Sequence, residues 1–213
     1  MKEHVIISGT GRAGTTFLVA LLTRLGLDTG FDRETLEVLP HARMARMGPM
    51  DIFPAARAGL EMNIRAADAP YIVKTPFLCD TVESALGSSI RIKRAIIPVR
   101  QFDAAAASRA LVQEQVTGSK DRTQKVPGGL WDVDKAAEQA DMLRLKFTRL
   151  VETLTRHDVP MTFLSYPRLV GDANYLFDKL DFLLCGIDHG SFRSAFDRTV
   201  RPEWVHQFTP ADR

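Results

Sequence analysis

Four short apolar runs along the chain each stop abruptly in polar residues: Val5 to Ser8, Tyr71 to Lys74, Ala95 to Arg100, and Met161 to Ser165. Runs of this length and composition predict buried strands. Between them the pattern changes to a helical period. Phe17, Leu18, Leu21, Leu22 and Leu25 line one face, and Ala136, Ala140, Leu143, Phe147, Leu150 and Leu154 step by four and three along another. Two more helices are expected, from Asp103 to about Val116 and from Asn174 to Leu184. Strands alternating with helices predict an α/β fold, a mostly parallel central sheet flanked by helices on both faces. Pro98, inside the third run, suggests an edge strand or a bulge. Gly118 to Gly129 is polar, basic and bounded by glycine, which predicts a mobile loop. Thr29 to about Asp68 shows no clean period, and an acceptor-binding region could be inserted there.

Composition narrows the function classes. At 213 residues the chain is expected to form one domain spanning residues 1–213, large enough to bury a core without disulfides or metals. A formal charge of +2 does not imply a nucleic-acid partner. Cys79 and Cys185 stand far apart, as expected for reduced thiols, and His4, His41, His157, His189 and His206 show no metal spacing. With no signal-peptide anatomy and no apolar run near the ~18 residues of a membrane span, the expectation is a soluble, cytoplasmic protein.

The chemistry concentrates in Ile6-Ile-Ser-Gly9-Thr-Gly11-Arg12-Ala13-Gly14-Thr15-Thr16, a glycine-rich turn between a strand and a helix. Such a turn points backbone N–H groups and the positive end of the helix dipole at an anion. Gly9, Gly11 and Gly14 fit the dinucleotide fingerprint, but that requires a second strand ending in an acid soon after the helix. Leu25 to Asp32 contains the acids and no strand-like run. Gly9 and Gly14 also fit a Walker A loop, but Thr15 stands where its lysine belongs. The other apolar runs end in Lys74, Arg100 and Ser165 and supply no metal-binding aspartate. Cations stand at the C-terminal edge of the predicted sheet, where open α/β proteins bind ligands.

Arg12-Ala13-Gly14-Thr15-Thr16 resembles the phosphosulfate-binding loop of sulfotransferases that use 3′-phosphoadenosine 5′-phosphosulfate (PAPS), usually Lys/Arg-Ser-Gly-Thr-Thr. Arg100 and Ser108 are spaced like that family's second element, an arginine at a strand end and a serine eight residues on that bind the 3′-phosphate; Phe102 replaces a frequent proline. Lys74-Thr75-Pro76 is similar to the Lys-Thr/Ser-Pro element of the carbohydrate-modifying branch. Phe163-Leu-Ser-Tyr166-Pro-Arg-Leu169 and Leu180-Asp-Phe-Leu-Leu-Cys-Gly-Ile187 loosely resemble the family's Tyr-Glu-Asp-Leu segment and Phe-Leu-Gly helix end.

The resemblance implies a P-loop NTPase-like sulfotransferase fold with PAPS as donor and adenosine 3′,5′-bisphosphate as product. It places Gly11, Arg12, Ala13, Gly14, Thr15, Thr16, Arg100 and Ser108 around the donor. Lys74, with Arg12, would act on the transferring group, and a glutamate beyond the first helix would be the base. Glu34 is the expected base, with Glu37 and His41 as rivals. The acceptor would be a hydroxyl or amine on a small molecule, carbohydrate or lipid. No metal, nucleic acid or membrane span is expected, and the oligomeric state is not legible. Two alternatives stay open: a kinase with a degenerate Walker A loop, and a non-catalytic nucleotide-binding protein.

Overall fold

The computed structural model describes residues 2–34, 36, 60–76, 78–86 and 90–201. Its described strands are β1 (Lys2–Ile7), β2 (Ile72–Lys74), β3 (Ile90–Val99) and β4 (Met161–Ser165). They form one parallel sheet in the order β2-β1-β3-β4. The helices are α1 (Thr15–Arg24), α2 (Leu78–Leu86), α3 (Phe102–Thr117), α4 (Gln139–Arg156), α5 (Arg168–Gly171), α6 (Ala173–Lys179) and α7 (His189–Thr199).

Alternation along β1 and β3 feeds two cores. Val5, Ile7 and Ile96 face α1, α6 and α7, packing with Leu18, Leu22, Leu176 and Phe192. Ile6, Ala95 and Ile97 face the opposite side, with Cys79 of α2, Ala105 of α3, and Leu143 and Leu150 of α4. A sheet covered on both faces needs the continuous apolar strands seen in the sequence. Among the described residues no helix is long and apolar enough to cross a membrane.

Three expectations change on contact with the structure. Pro98 lies on neither an edge strand nor a bulge, because β3 runs between β1 and β4, and the one register shift falls at His4/Val5. Ile96 O accepts from Ser8 N on the β1 side, whereas Val99 O accepts from Tyr166 N on the β4 side. Pro98 therefore turns its missing N–H toward β1, whose pairing has already ended at Ile7. The 118–129 segment is pinned rather than loose. Gln113 donates to Gln124 O, Asp121 accepts from Ala136 N, and Arg122 pairs with Asp134. Finally, the helix expected from Asn174 to Leu184 is broken into α6 and a short 3-10 turn, Asp181–Leu183.

Candidate functional site

Sheet order 2-1-3-4 places a topological switch point between β1 and β3, since the chain leaves β1 for one neighbour and returns to the other. Ligands of open α/β sheets bind outside the strands' carboxyl ends at such a point. Here the β1–α1 loop, Ser8 to Gly14, occupies that place. Ser8 Oγ donates to Thr75 O at 2.9 Å, fastening the loop's first residue to the end of β2.

The loop's shape depends on left-handed backbone. Gly11 has φ 70° and Gly14 φ 86°, values that side chains with a Cβ rarely adopt. Space reinforces this requirement. A Cβ on Gly11 would stand 2.8 Å from Arg109 Nη2, and one on Gly14 would stand 2.9 Å from Leu169 Cδ1. Gly14 is also the N-cap of α1 and supplies no side-chain cap, and the first helical turn holds no acid. The first N–H groups of α1 are thus left by their own helix for an anion.

Arg12 is left-handed too, at φ 56°, a conformation costing about 1–2 kcal/mol for a residue with a side chain. Its neighbours hold it there. Arg12 Nε donates to Ser108 Oγ at 3.0 Å, and Arg100 Nη1 donates to Arg12 O at 3.0 Å. The eight-residue spacing therefore delivers Arg100, at the end of β3, and Ser108, on α3, to one loop residue. Both are buried, so in this conformation Arg12 lies over the Ser108 hydroxyl. The Arg100 guanidinium also rests 4.8 Å from the Tyr166 ring centroid. Burial pulls its pKa below the ordinary arginine value, with the Tyr166 hydroxyl acting the other way.

On the other side of the loop, buried Lys74 donates from Nζ to Thr16 Oγ1 at 3.0 Å and to Glu61 Oε1 at 2.8 Å. Ala13 and Thr15 are buried within the loop and the first turn. Gly11, Arg12, Ala13, Gly14, Thr15, Thr16, Lys74, Arg100 and Ser108 thus gather at one edge of the sheet. Glu34 is exposed and follows Arg33, whose Nη2 donates to Arg24 O at the C-terminal end of α1. Glu37 and His41 lie outside the described residues. A cavity of about 570 Å³ also lies at that end, between Arg24, Arg33, Ser191 and Arg198, and includes no loop residue.

Two neighbours of the loop were not singled out by sequence reasoning. Glu61, in the aperiodic segment, brings a carboxylate to Lys74. Arg109 donates from Nη2 to Thr10 O at 2.7 Å and from Nη1 to Gly129 O at 2.8 Å. A signal for Arg109 existed: it falls three and four residues after Ala106 and Ala105, on the buried face of α3. Glu61 left none.

Among the described residues no group of three or more His, Cys, Asp or Glu side chains could hold a metal ion. The charges at the loop are those of Arg12, Arg100, Arg109 and Lys74, with the Glu61 carboxylate paired to the lysine. A scan of protein-family models finds no match to this chain, and a search of curated proteins finds no similar one.

Proposed function

We propose that this chain is a sulfotransferase that uses PAPS as donor and passes its sulfuryl group to a hydroxyl or amine of a small-molecule, carbohydrate or lipid acceptor. One observation carries the reading: Arg12, Arg100 and Ser108 converge on one side of a glycine loop while Lys74 and Thr16 meet on the other. Three cations around an uncapped helix start suit a ligand with phosphate at both ends of a nucleoside.

The residues divide by position. The first N–H groups of α1, with Thr15 and Thr16, cradle the 5′-phosphosulfate, and Arg100 and Ser108 take the 3′-phosphate once Arg12 swings off the serine. Bound donor supplies an activated sulfuryl group, transferred in line through a loose transition state, as phosphoryl groups are. Lys74 offsets the negative charge that gathers on the bridging oxygen as the S–O bond breaks and the electron pair stays with the nucleotide. The acceptor oxygen forms the new O–S bond as its proton passes to a carboxylate. Glu61, 2.8 Å from Lys74 Nζ and partly exposed, suits that role by position, with Glu34 as another candidate.

A thermal-shift panel tests the reading. Adenosine 3′,5′-bisphosphate at ~100 times its Kd adds about 2.7 kcal/mol of stability. The expected result is a large shift with the bisphosphate in the presence of a chelator. Stabilisation by ATP with magnesium, or by NAD, in its place would favour the kinase or dinucleotide readings and reject this one.

A further inference from the structure

Both buried lysines among the described residues carry a carboxylate with them. Lys146 reaches Asp80 at 2.8 Å and Asp132 at 2.6 Å, and Lys74 reaches Glu61 at 2.8 Å. Arg109 differs. It is 7% exposed, yet its hydrogen-bond partners are two neutral carbonyls, Thr10 O and Gly129 O. Its Nε is buried without a hydrogen-bond partner, and among the described residues no carboxylate stands in ion-pair range. The guanidinium instead rests 5.1 Å from the Trp131 ring centroid. Burial, and then the nearby Arg12 charge, push its pKa down to about 9.

Burying a charge without a counter-charge is costly, and a chain indifferent to that charge could fill the space with methionine. The cost is recovered when an anion arrives close by. Arg109 lies on the inner side of the loop, Nη2 within 2.8 Å of where a Gly11 Cβ would stand, so an anion held by the loop lies on the far side of one layer of backbone. The same side chain ties the loop to the 118–130 segment, whose Gly128 lies beside Arg12 Nη1.

We propose that Arg109 is a positioning residue of the donor site: it fixes the Thr10–Gly11 backbone against Gly129 and sets an unneutralised positive charge behind the loop, which the bound anion completes. This rests on the reading of the loop as a donor cradle.

The test separates charge from packing. Binding of adenosine 3′,5′-bisphosphate and of inorganic pyrophosphate is measured by calorimetry on the wild-type chain and on Arg109→Ala, Arg109→Lys and Arg109→Met, each checked for folding by circular dichroism. Arg109→Ala is expected to weaken binding by about tenfold or more, and ~10 mM guanidinium chloride is expected to restore much of it, while urea or sodium chloride at equal concentration does not. Arg109→Lys is expected to bind more tightly than Arg109→Met. Should Arg109→Ala not fold, this lysine-against-methionine comparison decides alone. Equal binding by lysine and methionine variants, or rescue by urea as good as by guanidinium, would reduce Arg109 to a packing residue. If wild-type chain takes pyrophosphate but not the bisphosphate, the donor reading falls and the same comparison is made on pyrophosphate. Binding of neither overturns both.

Discussion

At the scale of single residues, Lys74 shows how tightly the site is constrained. Its ammonium is buried between a threonine of α1 and the Glu61 carboxylate. Glu61→Gln leaves that ammonium facing a neutral amide, and a loss of about 1–2 kcal/mol is expected in urea unfolding, less than for a fully buried pair because Glu61 is partly exposed. Cys79 offers a second test. Burial, with the Asp80 charge adding to it, pushes its thiol up to about 12 from 9.0. A folded-state pKa above the unfolded one favours the folded chain below pH 9, and that contribution drains away as pH climbs from about 9 toward 12. The wild-type chain should therefore lose more stability between pH 8 and 10 than Cys79→Ala. At pH 8, thiol titration should find only exposed Cys185 reacting quickly. Arg12, Lys74 and Arg100 were legible in the sequence because they stand in the glycine turn and at strand ends, and Ser108 because its spacing from Arg100 resembles a known family element. Arg109 and Glu61 were not singled out: Arg109 shares the helical period of Ala105 and Ala106 but belongs to no motif, and Glu61 lies in a segment with no period at all.

Elements were legible where one face repeats. Leu18, Leu21 and Leu22 announced α1, and Leu143, Leu150 and Leu154 announced α4. β3 proved longer than its apolar run, because Ile90, Arg91, Ile92 and Lys93 alternate outside the fully buried centre. The 118–129 segment misled because polar composition describes what faces water and not what is tethered beneath: Val126, Gly129 and Leu130 are buried. The β1–α1 turn supplies the prediction at this scale. Gly11→Ala combines a left-handed φ with a Cβ that meets Arg109, so a loss of about 1–3 kcal/mol is expected in chemical unfolding. Arg109→Ala in the same chain should recover part of it, which a double-mutant cycle measures.

Across the whole molecule, the alternation of strands and helices announced the parallel sheet but not its order. Only pairing through the structure puts β1 beside both β2 and β3 and so brings three cation-bearing strand ends, Lys74, Arg100 and the Arg12 loop, to one edge. A second network reaches that edge from behind. Trp131 has Arg109 5.1 Å and Lys146 4.5 Å from its ring centroid, and Lys146 binds α2 through Asp80. Burial draws the Lys146 pKa down, but hydrogen bonds to Asp132 and Asp80 prevail and hold it above the ordinary lysine value. Lys146→Met should cost about 1–2 kcal/mol, the two acids being exposed enough to rehydrate, and its effect on bisphosphate affinity should be small beside that of Arg109→Met.

The hydrogen bonds by which Arg109 ties Thr10 O to Gly129 O, and the close approach of Leu169 to Gly14, also order events during translation. The glycine turn leaves the ribosome before its supports: Arg109 lies 99 residues beyond Thr10, and Gly129 and Leu169 follow later still. Stalled nascent chains exposing only the first 117 residues should be cut readily by trypsin after Arg12. Protection should set in once the polypeptide through α6 has cleared the exit tunnel, so the first-made part of the crevice is the last to set.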